Sequence, residues 1–356
     1  TNKGHEMEPV RVGVIGCGVI GTSHMRAANE SPDLELVAAA DLIDGNREKA
    51  EAQFSPKRMY TDGADLIADD EVELVVLAFP TAYRGKVGLE VLAAGKHLLT
   101  EKPVAMNAGE VQALIDAKGD LQAACCSSRY RFTKGAEVAT DFIASGALGE
   151  IRTVRHRNLS SAGKAPDSPR PEWRLKKQLN GGGYLVNWGC YDLDYLLGIT
   201  GWSLKPETVF AQTWTVPGPY ASHVAEGSDA ETHYTAMIRC EGGTILSIER
   251  SEYTAAEGDQ AWGIIGSDGS LRLAMTASKP GRIVYAKADE QDGTSAETLW
   301  EENEEGSIHA GPLTDLAAAV RSGGSPKTPL ENALIVQKIT DAVYESAATG
   351  EAVSIR

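Results

Sequence analysis

The stretch Val12-Gly13-Val14-Ile15-Gly16-Cys17-Gly18-Val19-Ile20-Gly21-Thr22-Ser23-His24 decides how this chain folds. Residues 12–15 read as a strand buried on both faces. Gly16, Gly18 and Gly21 stand at the G-x-G-x-x-G spacing where a helix begins. A strand that turns directly into a helix aims free N–H groups at one point. In such a turn Gly16 permits the tight bend, Gly18 leaves bare backbone for a pyrophosphate, and Gly21 lets the helix lie close to the strand. Val19 and Ile20 would flank the phosphates. The spacing alone is weak, because three glycines so placed also occur in ordinary turns and in methyltransferase-like sheets.

The next segment strengthens it. Leu34–Ala40 reads as a second buried strand and ends at Asp41, twenty residues beyond Gly21. A carboxylate there accepts from a ribose 2′-hydroxyl and repels a 2′-phosphate, so the expected cofactor is NAD. A turn or helix-capping role is the plainer alternative for Asp41. The pattern continues as helix (46–54), strand (73–79), helix (82–94, closed by Gly95), strand (97–100), helix (108–118) and strand (121–127). This is the rhythm of a doubly wound parallel sheet. A helix at 135–145 and a strand from Ile151 follow. From Pro206 onward alternating segments dominate, at 208–216, 231–239, 244–253, 261–266, 270–275 and 282–286, and predict a mainly antiparallel sheet with one wetter face. Two late helices, 312–321 and 330–348, are expected to pack across it. The segment 289–305, with eight acids and no base, reads as a solvated edge hairpin.

With 356 residues and 42% hydrophobic content, the chain is long enough for two domains. Its 34 basic and 50 acidic residues give a net charge of -16, which argues against nucleic acid and anionic membrane surfaces as main partners. No run approaches the ~18 apolar residues of a membrane span. The polar start, residues 1–9, has no apolar stretch of the signal-peptide kind. Five cysteines, Cys17, Cys125, Cys126, Cys190 and Cys240, lack paired C-x-x-C spacing. They read as reduced packing residues in a cytoplasmic protein, with no metal expected.

Two stretches carry the chemistry. Gly95-Lys96-His97 and Glu101-Lys102-Pro103 place a lysine just past a strand end, at the rim where the nicotinamide half of the cofactor would lie. Such a lysine can polarise a sugar oxygen and take part in proton transfer, although Glu-Lys-Pro alone is also an ordinary surface turn. Residues 181–194 read Gly-Gly-Gly-Tyr-Leu-Val-Asn-Trp-Gly-Cys-Tyr-Asp-Leu-Asp. The glycines would let the chain come close to a ligand. Asn187, Tyr191 and Asp194, four and three residues apart, would share one helix face.

These two stretches, the glycine turn, Ala-Ser-Gly-Ala-Leu-Gly-Glu-Ile at 144–151, Trp173-Arg174 and Ile-Gly-Ser-Asp-Gly-Ser-Leu at 265–271 together define a resemblance. From Val10 to Ile355 the chain resembles the glucose-fructose oxidoreductase and inositol dehydrogenase (Gfo/Idh/MocA) family. The resemblance implies an N-terminal Rossmann domain, here 1–127, and a C-terminal α/β domain, here 128–356, with a large open sheet for substrate binding and oligomerisation. It implies hydride exchange between a nicotinamide and a sugar or polyol carbon, in a homodimer or homotetramer. It maps the catalytic lysine onto Lys102 and puts Glu101 on the nicotinamide ribose. Phe79, Pro80 and Thr81 would line the cofactor, with Trp173 and Arg174 over its nicotinamide end. Asn187 and Tyr191 stand where aspartate and histidine are frequent, and Arg84 where a histidine is usual among the cofactor contacts.

Asn187 cannot accept a proton, so it can only orient substrate or Tyr191. A phenol, with an ordinary pKa near ~10, would need a nearby ammonium and a positive nicotinamide to become a usable base. Otherwise Tyr191 is a packing aromatic and water carries the proton. Residues 150–177 hold eight bases (Arg152, Arg155, Arg157, Lys164, Arg170, Arg174, Lys176, Lys177) against three acids. That excess is either a solvated face or the mark of an anionic sugar. In the second case Arg129, Tyr130, Lys164 and Arg174 would join Lys102, Asn187 and Tyr191 around the substrate. The leading expectation is an NAD-dependent dehydrogenase of a sugar derivative. A redox-neutral glycoside hydrolase, using NAD transiently on an anionic glycoside, is the alternative, and a non-catalytic dinucleotide sensor is a third.

Overall fold

A computed structural model describes residues 8–276, 281–302 and 308–355. Residues 1–7 of the polar start and 303–305 of the acidic segment lie outside them. The chain divides into two units, formed by the described residues of Thr1–Arg129 with Ser307–Leu334, and of Tyr130–Gly306 with Ile335–Arg356.

In the first unit, short apolar runs form β1 (Val10–Ile15), β2 (Leu34–Ala40), β3 (Arg58–Tyr60), β4 (Leu74–Leu77), β5 (His97–Thr100) and β6 (Ala123–Cys125). They pair in parallel in the order β3-β2-β1-β4-β5-β6, the Rossmann order. Leu-Val-Val-Leu in β4 is buried at every position, as a strand covered on both faces requires. The strand order reverses between β1 and β4, and a ligand crevice is expected at their carboxyl ends.

One expectation is corrected here. The helix Gly311–Ser322 does not lie across the second sheet. Leu313, Leu316 and Ala317 pack with Val12, Val14, Met25 and Leu99 of the first unit. Arg321 fastens its end, donating to the carbonyl of Pro9 at 2.8 Å and to Glu73 at 3.0 Å. Leu330 and Ala333 also join a core of the first unit, whereas Val336, Ile339 and Val343 of the same helix belong to that of the second.

The second unit holds β7 (Ile151–Ser161), β8 (Pro206–Trp214), β9 (His233–Cys240), β10 (Ile245–Thr254), β11 (Asp259–Gly266), β12 (Gly269–Arg272), β13 (Gly281–Asp289), β14 (Gly293–Glu302) and β15 (Val353–Ser354). Their order is β14-β13-β12-β11-β7-β10-β9-β8-β15. Only β7 and β10 run parallel, so the sheet is mainly antiparallel as expected. The acidic β14 is an exposed edge strand. In β9, Tyr234, Ala236, Ile238 and Cys240 are buried while Met237 and Arg239 face water. The buried face is covered by the helices Lys134–Ala144 and Cys190–Ile199, the latter buried at all ten positions. No cysteine forms a disulfide. Among the described residues no helix is long and apolar enough to cross a membrane.

A charged group sits inside this second core. Asp192 takes two bonds from Arg250, each 2.7 Å, and a third from the Tyr234 hydroxyl at 3.3 Å. His156 packs against Trp262, and neither ring nitrogen has a hydrogen-bond partner among the described residues. Burial, outweighing the nearby Asp192 carboxylate, pushes its pKa down to about 4. Unfolding therefore takes up a proton between the ordinary histidine value near ~6.5 and about 4, so stability is retained above this window and lost as pH falls through it. The loss is on the order of 3 kcal/mol. Urea unfolding at pH 7 and pH 4.5 should show a smaller loss for His156→Gln than for the parent chain. Equal losses would exclude His156 as the source.

Candidate active site

The first unit builds a candidate cofactor site from the turn after β1. Gly16 has φ +96°, which L side chains rarely adopt. A Cβ on Gly21 would lie 1.7 Å from the Gly16 carbonyl oxygen. Both glycines are thus required by the fold. Gly18 differs, since a Cβ there would meet nothing within 4 Å. The helix Val19–Glu30 that starts beside it has no side-chain cap and no acid in its first turn, leaving its N–H groups and positive dipole end available to an anion. The Asp41 carboxylate reaches the same turn, accepting from Cys17 N at 2.7 Å, Ile43 N at 2.8 Å and Asn46 Nδ2 at 3.1 Å. Together the open cradle, the uncapped helix and the carboxylate fit a dinucleotide. Phe79 and Pro80, half-buried, follow β4.

The segment Glu101-Lys102-Pro103 follows β5. Arg84 fixes it from behind, donating to the carbonyls of Glu101, Pro103 and, at 3.4 Å, Lys102, and to Thr81 Oγ1 at 2.6 Å. Arg84 and Thr81, both expected at the cofactor, are buried and support this segment. Glu101, expected on the nicotinamide ribose, is buried as well. It is 6% exposed, and its Oε1 is held by His24 Nε2 at 2.9 Å and Arg129 Nη2 at 2.6 Å. Burial raises its pKa, but Arg129 and His24 outweigh burial and hold the carboxyl well below the usual range. Arg129 is thus the buried counter-charge of Glu101. His24, Glu101 and Cys126 are metal-ligating types with ligand atoms within 4.8 Å of one another. The cationic partner on the Glu101 oxygen is already Arg129. Lys102, half-buried, is the titratable side chain that this framework presents.

In the second unit an open cavity has a lining that includes Arg170, Arg174, Asn187, Ser228, Glu252 and Tyr253. Asn187 donates to the carbonyls of Arg174 at 3.0 Å and Gly183 at 2.9 Å, so it fastens the Arg174 segment to the helix. Arg170 is paired with Glu252 at 3.2 Å. The Arg174 guanidinium has no hydrogen-bond acceptor or ion-pair partner among the described residues, and burial, then Arg170, lowers its pKa. Glu252 is raised by burial against the opposing pull of the two arginines. Glu252 and Tyr253 went unnoticed in the sequence, where they read only as the end of a strand.

The expected polar stripe is broken up. Leu185–Gly189 is a π-helical turn before the α-helix, and Asp194 is buried against Arg131 at 2.7 Å. Tyr191, 5% exposed, meets the Tyr130 ring edge-on at 5.2 Å and Trp188 at 5.8 Å, and is not among the cavity's lining residues. Lys164 lies on an exposed loop and Trp173 on the short helical turn Glu172–Leu175, neither lining the cavity. The triple glycine also has a different purpose. A Cβ on Gly182 would fall 1.9 Å from the Tyr344 hydroxyl, and one on Gly183 would fall 1.8 Å from the Glu231 carbonyl oxygen. These two glycines admit protein. The Glu231 carboxylate accepts from Gly183 N, Leu185 N and the Tyr344 hydroxyl, capping the helix from a distant segment.

Two variants separate these roles. Gly18→Ala should melt within about 2 °C of the parent and bind NAD at least about tenfold more weakly by calorimetry, because its Cβ intrudes only on the ligand's space. Glu231→Ala should lose about 3 kcal/mol in urea unfolding, because it strands three donors. A Gly18→Ala protein with undiminished NAD affinity would remove the turn from the site.

Comparison with known proteins agrees with this geometry. Residues 10–127 match the family model described as an oxidoreductase family with an NAD-binding Rossmann fold, and residues 137–272 match the GFO/IDH/MocA C-terminal domain. The chain is 24% identical over 385 residues to levoglucosan dehydrogenase of Pseudarthrobacter phenanthrenivorans, covering 96% of this chain and 97% of that one. It is 31% identical over 158 residues to inositol 2-dehydrogenase of Salmonella typhimurium, covering 43% and 47%. Its fold superposes on levoglucosan dehydrogenase in complex with NADH and L-sorbose with a TM-score of 0.83, at 23% identity, over 98% of this chain and all of the other. Aldose-aldose oxidoreductase from Caulobacter crescentus gives a TM-score of 0.80 at 21% identity, with the same coverage. With NAD as its cofactor, this chain belongs to the Gfo/Idh/MocA oxidoreductase family.

Proposed function

We propose that this protein is an NAD-dependent dehydrogenase that oxidises a carbinol carbon of a sugar or polyol derivative. Lys102 carries the reading, as a half-buried lysine at a Rossmann strand end whose backbone is fixed by Arg84 and whose neighbour Glu101 is anchored by Arg129 and His24. Bound NAD supplies the two-electron acceptor. Lys102 accepts the proton of the reacting hydroxyl as the carbonyl forms and releases it to solvent, so the carbon loses one hydride and its oxygen one proton. Asn187 holds the Arg174 segment in place. The names of the levoglucosan and inositol dehydrogenase relatives support a cyclic polyol as substrate. The basic excess within 150–177 supports one that bears an anionic group.

The same reading includes a homo-oligomer. Phe210 and Met237, directly opposite on β8 and β9, are 56% and 57% exposed on the wet sheet face, where a second copy of the chain would cover them.

A panel of sugars, polyols and sugar acids incubated with NAD should yield NADH in step with the carbonyl product. Lys102→Met should lower kcat by about a hundredfold to ten-thousandfold while still binding NAD. Full turnover in that variant would overturn the assignment. Phe210→Asp should shift light-scattering mass toward the monomer, and an unchanged mass would exclude that face as an interface.

A further inference from the structure

The cavity of the second unit has an unbalanced charge. Arg170 and Glu252 neutralise each other across 3.2 Å, and a second contact of 3.5 Å makes the pairing two-pronged. Arg170 also faces the Tyr184 hydroxyl at 3.4 Å. Arg174 lines the same cavity with no acceptor for its guanidinium among the described residues, although the Asn187 and Asn180 amides hold its carbonyl at 3.0 and 3.2 Å. Its backbone is therefore fixed while its cation is left uncompensated. His223 contributes a ring nitrogen already engaged with the Gly163 carbonyl at 3.0 Å. Two cations and one carboxylate leave one positive charge in a half-enclosed space. A partly buried cation without a protein acceptor favours binding of an anion.

We propose that Arg174 is the anion-recognising residue of this cavity and that its substrate is a sugar or polyol carrying a single negative charge, a carboxylate or a sulfonate. The proposal rests on the dehydrogenase reading and specifies its substrate class. The guanidinium fork matches two oxygens of a planar carboxylate or one face of a sulfonate. Glu252 sets the valence. With Arg170 cancelled, a dianionic phosphate ester would bring one charge more than the cavity neutralises, and the Glu252 carboxylate would repel it. Tyr253 and Ser228 line the same cavity and offer hydroxyls to the ring.

The test uses the full chain with NAD and four matched probes: glucose, glucuronate, 6-deoxy-6-sulfoglucose and glucose 6-phosphate. Calorimetric binding and NADH formation are measured for each. The parent should favour glucuronate or the sulfo sugar over both glucose and glucose 6-phosphate by about tenfold or more. Arg174→Gln should collapse the anion-to-glucose ratio toward one, chiefly through KM, and Arg174→Lys should restore part of it. Glu252→Gln, which leaves both arginines uncompensated, should move preference toward glucose 6-phosphate by several-fold. Charge-selective binding without NADH would sink the dehydrogenase reading and keep the subsite. NADH formation with no preference among the four probes, or an Arg174→Gln effect confined to the KM for NAD, would overturn the subsite and keep the dehydrogenase.

Discussion

A carboxylate withdrawn from water has to be answered by donors, and Glu101 is answered from two directions at once. His24 comes from the helix after the glycine turn, and Arg129 from just beyond β6. The next residue is Lys102, whose own N–H returns to the Glu101 carboxylate at 3.3 Å. Removing one partner of such a buried pair typically costs about 3–5 kcal/mol, because the other charge is left stranded. The lysine is thus placed by an electrostatic bargain made behind it, and Arg84 adds hydrogen bonds to three successive carbonyls.

The second unit solves the same problem with the same chemistry. Glu231 gathers two backbone N–H groups and the Tyr344 hydroxyl at the head of the buried helix. A π-helical turn follows, which re-aims Asn187 toward the Arg174 carbonyl. Deeper in that core, Asp192 and Arg250 neutralise each other, and Arg250 lies over the Trp188 ring at 4.8 Å. The aromatic trio of Tyr130, Trp188 and Tyr191 therefore stands on a satisfied ion pair.

Against these balanced groups, Arg174 is the exception. Glu101, Asp192 and Asp194 each have a guanidinium partner, and Arg170 has Glu252, while the Arg174 side chain has no such partner among the described residues. A partly buried cation in that position is a candidate functional group.

Contiguous sequence determined a great deal here. The buried runs of the first sheet, the glycines forced by a bend at Gly16 and a close crossing at Gly21, the carboxylate at Asp41 and the alternation in β9 were all legible. Each is a steric or periodic rule acting over a few bonded neighbours. Tertiary structure alone decided the partners. Gly183 meets Glu231 across 48 positions, Arg250 meets Asp192 across 58, and Arg170 meets Glu252 across 82. Glu101 and Arg129, both expected at ligands, meet each other across 28 positions, because a buried charge needs an opposite charge that adjacent sequence does not supply. The helix Gly311–Ser322 likewise went to the sheet whose apolar face it completes. Amphipathic spacing specifies that a helix must be covered, but it does not specify by which surface.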